Sequence, residues 1–193
     1  MFLNQTILNR LMKEAVKLGM RVWRSDEEIY IGGLYWSAII NEKFMPKETK
    51  GNLISLVGEL PESGHGYIAY KEGNQMELAT KDLFMKEPGT HPLEVTDTIQ
   101  IAPDGTHQRI LQDASTGQMC LINNVFVSII DEGIISDNDG EYAPGKPMLE
   151  RNGTCVSWAN NVCIFSAMLR TETSDVEDIL NRLKGVDLMT GRV

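Results

Sequence analysis

The sequence predicts an α+β fold dominated by antiparallel β-sheet, with an N-terminal and a C-terminal amphipathic helix packed on it. Two observations predict it. Apolar residues recur at helical spacing over residues 5–18 and again over about 175–184. Between these stretches lie short runs rich in branched and aromatic residues, separated by polar turns carrying Gly, Asn, Asp or Pro. A sheet built from such hairpins leaves one face to be covered, and the terminal helices are the elements available to cover it.

In chain order, Leu8, Leu11, Met12, Ala15 and Leu18 share one face of the first helix, while Arg10, Lys13 and Lys17 share the opposite face. Asn4 is placed to cap its first turn and Gly19 to close its last. "RVWRSDEEIYIGGLYWSAIIN" reads as three strands, with a turn at Ser25-Asp26-Glu27 and a break at Gly32-Gly33. "EKFMPKETKGN" reads as a polar connection and "LISLVGEL" as a fourth strand stopped by Pro61. "GYIAYKEGNQMEL" reads as a hairpin turning at Glu72-Gly73-Asn74, and "KDLFMKEPGTHP" as one helical turn broken by proline. Residues 94–131 read as a meander that turns at Asp104-Gly105 and breaks at Asn123-Asn124. Residues 132–153 form an acidic loop, and two further strands precede the last helix. In that helix Ser174 and Glu177 have capping-box spacing, Val176, Ile179, Leu180 and Leu183 form the apolar stripe, and Gly185 ends it. The chain reads as a single domain, 1–193, or as a two-part β-rich body joined near 86–93.

Composition narrows the function classes. Apolar residues make up 42% and charged residues 23%, ordinary globular values that exclude a disordered chain. No apolar run reaches the roughly 20 residues of a spanning helix, and the N-terminus lacks the pattern of a secretory signal. Three cysteines without framework spacing read as reduced thiols in a cytoplasmic protein. The formal charge is −9, but residues 1–24 carry five cations (Arg10, Lys13, Lys17, Arg21 and Arg24) against Glu14 alone. That basic segment within an acidic chain is the principal anion- or nucleic-acid-contacting candidate; its bland alternative is a solvated face opposite a buried stripe.

The stretch "RNGTCVSWANNVCIFSAML" reads as a hairpin turning at Asn160-Asn161, with Cys155 and Cys163 on opposite faces. Thiols so placed cannot form a disulfide without rebuilding the hairpin. With no second Cys pair or nearby His they do not form a zinc clip, so no metal site is expected there. His65, His91 and His107 lack metal-ligand spacing and read as turn residues, each still available as an acid or base to a partner from elsewhere in the fold. "GHGYIA" matches a loose glycine-rich pattern but precedes a hairpin rather than a helix, and P-loop and nucleophile-elbow motifs are absent, so no cofactor is expected. "DNDGE" fails as an EF-hand, because Ile135 and Lys146 would fall where oxygen ligands are required. Asp137, Asp139 and Glu141 stay as loop-contact candidates, against the plainer reading of a solvated acidic turn.

Three functions follow as expectations. The first is a non-enzymatic binding or interaction module with a protein partner and no membrane association. The second is a nucleic-acid-associated accessory protein that sets its basic helix against phosphates. An amphipathic helix followed by antiparallel strands, basic within an acidic whole, is similar in layout to sliding-clamp domains over roughly residues 5–60, with no shared sequence motif. The third is an enzyme whose histidine site assembles only in the fold. Ligand and oligomeric state are not specified by the sequence.

Overall fold

Asn4 fixes where the first helix begins. Its side-chain oxygen accepts the Ile7 N–H at 3.1 Å, and Gly19, at φ 103°, takes the chain out of the helix after Leu18. In the computed structural model this helix, α1, spans Gln5–Leu18, and the strands β1 (Met20–Arg24), β2 (Glu28–Gly32) and β3 (Trp36–Asn41) follow. A 3₁₀ turn (Glu42–Phe44) leads to α2 (Lys47–Val57), β4 (Gly66–Ala69) and β5 (Gln75–Glu77). Next come β6 (His91–Pro92), β7 (Glu94–Ile101), β8 (His107–Gln112), β9 (Met119–Asn123) and the short α3 (Asn124–Ser128). The chain continues through β10 (Met148–Leu149), β11 (Cys155–Ala159) and β12 (Cys163–Met168) to α4 (Ser174–Leu183). The structure describes all residues except 74, 78–88, 90, 132–142, 152, 171–173 and 190–193; of Gln75, Met76, Ser174 and Asp175 it describes the backbone alone. The fold is α+β with antiparallel sheet dominant, and two compact units divide the chain.

The first unit comprises Met1–Lys86, Ile129–Pro144 and Ala159–Ser166. Its strands run in the order β5-β4-β1-β2-β3, with the first part of β12 beside β3. The β1–β2 register pairs Val22 with Ile31, and the β2–β3 register pairs Ile29 with Ile40, which stacks branched side chains across neighbouring strands. Leu8, Met12, Val22, Ile31, Ile40 and Leu53 are fully buried in this unit, and α1 lies against both α2 and β1. Trp36 stacks on Phe165 with ring centroids 6.3 Å apart.

The segment read as "LISLVGEL" is helical, not a strand. Pro46 sits at the N-cap of α2, where a missing N–H does no harm. Thr49, Leu53 and Val57, spaced by four, then form the buried stripe. The polar "EKFMPKETKGN" is likewise ordered, as the 3₁₀ turn and the first half of α2. At the other end of α1 the predicted apolar face stops short: Leu18 is 72% exposed, and Val16 takes the buried position instead.

The second unit comprises Glu87–Ser128, Gly145–Trp158 and Ala167–Val193. It holds the meander β7-β8-β9 and the ribbon β11-β10-β6. Ala102 N–H donates to Thr106 O at 2.9 Å across the Asp104-Gly105 turn. Past Asn123 the predicted strand does not continue, because the chain coils into α3, whose Phe126 is buried. Helix α4 places Val176 against Ile110, Met119 and Leu121, with Leu180 and Leu183 at the margin of the cluster. Gln112 ties down the chain beyond α4: its Nε2 donates to Val186 O at 2.9 Å and its Oε1 accepts Leu188 N–H at 3.0 Å.

The Asn160 turn is offset by one residue from the sequence reading. Asn160 N–H donates to Cys163 O at 2.9 Å, leaving Asn161 and Val162 at the tip. Asn160 Oδ1 also accepts the Val162 and Cys163 N–H groups. The side chain of the first Asn thus does work the reading assigned to backbone geometry alone. Each pairing moves by one residue on both strands, so the face of every side chain is preserved. None of Cys120, Cys155 and Cys163 is in a disulfide.

Candidate functional site

The five cations of residues 1–24 do not act as one surface. Arg10, Lys13 and Lys17 lie exposed along the outer face of α1. Lys17 is held by Glu14 at 2.8 Å, an exposed pair one helical turn apart, whereas Arg10 and Lys13 form no ion pair with any described residue. Arg21 and Arg24 belong to β1. Arg21 lies near the buried Tyr30: burial pushes the Tyr30 phenol up, and the Arg21 guanidinium pulls it back. Arg24 is bound to Glu42 through Nε at 3.1 Å and Nη2 at 3.3 Å, and Lys50 from α2 reaches the same carboxylate at 2.5 Å. The Lys50 hydrogen bond, followed by those from Arg24, holds the Glu42 carboxyl below its ordinary range despite partial burial. Glu42 therefore joins β1 to α2, and Arg24 is engaged in holding the fold.

The second unit contains a cavity of about 380 Å³. Leu93, Met119, Leu121, Leu149, Met168 and Val176 supply most of its apolar wall, and Asp113, Thr154 and Arg170 supply polar groups. Main-chain hydrogen bonds fix two of its sides: Leu169 N–H donates to Thr154 O at 2.9 Å and Arg170 N–H to Leu121 O at 2.8 Å. Hydrogen bonds from the Ser115 hydroxyl and from the Ser115 and Thr116 N–H groups keep Asp113 ionised below the usual carboxylate range. Cys120 also lines the cavity, but burial pushes its thiol up to about 12, so it stays protonated and weakly nucleophilic at neutral pH. The chemistry available is the reception of an apolar group beside a guanidinium and a carboxylate. Sequence reading did not find this cavity, because five separate segments contribute to it.

His65 lines a shallow recess with Glu62, Tyr67 and Glu77, its Nδ1 3.1 Å from Ser63 O, while His91 and His107 are exposed. Among the described residues no group of three or more His, Cys, Asp or Glu side chains is placed to hold a metal ion. Asp137, Asp139 and Glu141 lie outside the described residues. No helix among the described residues is long and apolar enough to cross a membrane.

The fold defines an α+β protein of antiparallel sheets with helices packed on them. No protein-family model matches the chain, and no curated protein matches it in sequence. Solved structures similar to it include sliding clamps. Over 98% of its length the chain aligns with 75% of a DnaN sliding clamp, DNA polymerase III subunit beta, from Bartonella birtlesii bound to griselimycin, at 10% identity and a TM-score of 0.34. Over 90% of its length it aligns with 66% of the beta subunit from DNA polymerase of Streptococcus pyogenes, at 8% identity and a TM-score of 0.34. Likeness at this level assigns the chain to no family.

Proposed function

We propose that this protein is a non-enzymatic binding module whose second unit receives an apolar side chain of a protein partner. The supporting observation is the cavity walled by Met119, Leu121, Met168 and Val176 with Arg170 and Asp113 among its lining groups. Its volume of about 380 Å³ lies within the roughly 300–1,000 Å³ range of ligand sites. Two methionines in the wall let it adapt to more than one side-chain shape. N-acetyl-leucine amide and N-acetyl-phenylalanine amide are suitable minimal probes, observed through methionine methyl resonances. The reading expects saturable shifts at Met119 and Met168, none at Met12 or Met20 in the first unit, and loss of the shifts in Val176→Trp. Unchanged Met119 and Met168 signals at saturating probe would overturn it.

A second reading rests on the outer face of α1, where Arg10 and Lys13, which form no ion pair with any described residue, lie with Lys17 and offer a phosphate-contacting face. If α1 binds duplex DNA, Arg10→Gln, Lys13→Gln and Lys17→Gln together abolish a salt-sensitive association and flatten its dependence on salt concentration. Binding that survives the triple substitution sinks this reading and leaves the first untouched.

A further inference from the structure

The outer edge of the meander in the second unit carries an inference of its own. Strand β7 pairs with β8 on one side and is the first strand in the order β7-β8-β9. Its register with β8 sets Ile99 opposite Arg109, Gln100 opposite Gln108 and Ile101 opposite His107. Ala102 N–H donates inward to Thr106 O, and hydrogen bonding alternates along an antiparallel ladder. Gln100 is therefore the next residue bonded to β8, and the N–H and C=O groups of Ile99 and Ile101 point away from the sheet. Among the described residues nothing accepts or donates to them. The side chains of these residues are exposed as well, Ile99 by 42% and Ile101 by 64%.

Edge strands are usually protected by a bulge, a proline or a charge. Here the register shift between Val95 and Ile99 protects one end, with Asp97 inside it, and Pro103 closes the other. Between them Ile99-Gln100-Ile101 has none of these devices. A further feature lies at the centre of this window: the side-chain Oε1 of Gln100 is buried without a hydrogen-bond partner.

We infer that this edge pairs with the same edge of a second copy of the chain, antiparallel about a two-fold axis through Gln100. The window is its own complement in that register. Ile99 of each copy meets Ile101 of the other and exchanges two hydrogen bonds with it, so all four outward groups of each strand are used. The exposed isoleucines of the two copies cover one another on one face. The two Gln100 side chains meet on the other face at a non-hydrogen-bonded position, where side chains approach most closely. Rotation of each amide toward the axis gives the orphan Oε1 a donor from its mate. Asp97 meets Pro103 rather than another charge. Because a two-fold contact uses the edge up, assembly stops at the dimer.

Sedimentation equilibrium across a hundredfold concentration range, together with oxidation of Gln100→Cys, tests the pairing. The inference expects a reversible monomer–dimer equilibrium, at least tenfold weaker in Ile101→Lys. It also expects a covalent dimer from Q100C chains, because Cα atoms at such a position lie about 4.5 Å apart, within disulfide reach. The wild type, whose three thiols are native, gives the background. A monomer at every concentration, a dimer indifferent to I101K, assembly beyond the dimer, or Q100C chains that cross-link no more than wild type would each overturn it. Unchanged circular dichroism in I101K, expected for an exposed position, keeps a folding defect from passing as lost association. None of these outcomes depends on whether the apolar cavity binds its probes.

Discussion

Replacing Glu42 by Gln tests the junction between β1 and α2. The carboxylate is partly buried, with its side chain 16% exposed, and it accepts from Arg24 at 3.1 and 3.3 Å and from Lys50 at 2.5 Å. A hydrogen bond to a charged group contributes about 1.5–3 kcal/mol when well shielded. Both cations are about one-third exposed, at 35% and 36%, so solvent screening reduces each pair to about 0.5–1 kcal/mol. Gln keeps the shape and one acceptor oxygen but loses the charge. The expected loss is about 1–2 kcal/mol, which for a chain of this size lowers Tm by about 2–8 °C.

The pH dependence separates charge from packing. The folded state holds the Glu42 carboxyl below its ordinary value of 4.5, so the wild type gains stability from ionisation that is complete above that value. That contribution disappears as pH falls through the lower folded value. Urea denaturation of wild type and E42Q should therefore show the full gap near pH 7 and a shrinking gap below about pH 4. A gap of the same size at both ends would refute the argument and assign the loss to packing.

Leu53→Ala should destabilise the first unit by about 2–5 kcal/mol, because Leu53 is fully buried at the centre of the α2 stripe; urea titration reads this, and a loss below 1 kcal/mol would contradict the packing described. Gly66→Ala should also be costly, since a Cβ there would lie 2.7 Å from the Trp23 ring and 2.9 Å from the Val22 carbonyl oxygen; a thermal midpoint equal to wild type would show that β1 and β4 are less tightly apposed. Burial pushes the Cys120 and Cys163 thiols up to about 12, so both should react slowly with a thiol reagent near pH 8 in the native protein and rapidly in urea. Equal rates in the two states would show that these sites are open.

What the sequence disclosed follows from the range of the interactions involved. Helix α1 was legible because its stripe, its Asn4 cap and its Gly19 exit all lie within 16 residues. The hairpins of residues 20–41 were legible because turn chemistry and strand pairing there are local as well. Helix α2 was misread because the branched residues of "LISLV" favour a strand, while the helical signal, Thr49-Leu53-Val57 behind Pro46, begins in a segment that looks merely polar. The Asn160 turn was placed one residue early because the Asn160 side-chain oxygen organises it by accepting the Val162 and Cys163 N–H groups. The cavity is non-local throughout: Leu93, Met119, Leu149, Met168 and Val176 come together only when the second unit is built.

The basic segment shows why counting charges is not enough to identify a surface. On the sequence its five cations form one patch; in the fold, secondary structure divides them by role. The helical period turns Arg10, Lys13 and Lys17 outward together, whereas Arg21 and Arg24 enter a strand whose neighbours bring Tyr30 and Glu42 to meet them. With Lys17 shared with Glu14, the cationic face reduces to Arg10, Lys13 and part of Lys17. Two to three phosphate contacts give a shallow salt dependence, with a log–log slope of roughly −2 to −3 on duplex DNA. A face of that size can orient a nucleic acid without holding it tightly. If the α1 reading is correct, strong retention has to come from a second contact: the apolar cavity engaging another protein, or the β7 edge doubling the number of α1 faces.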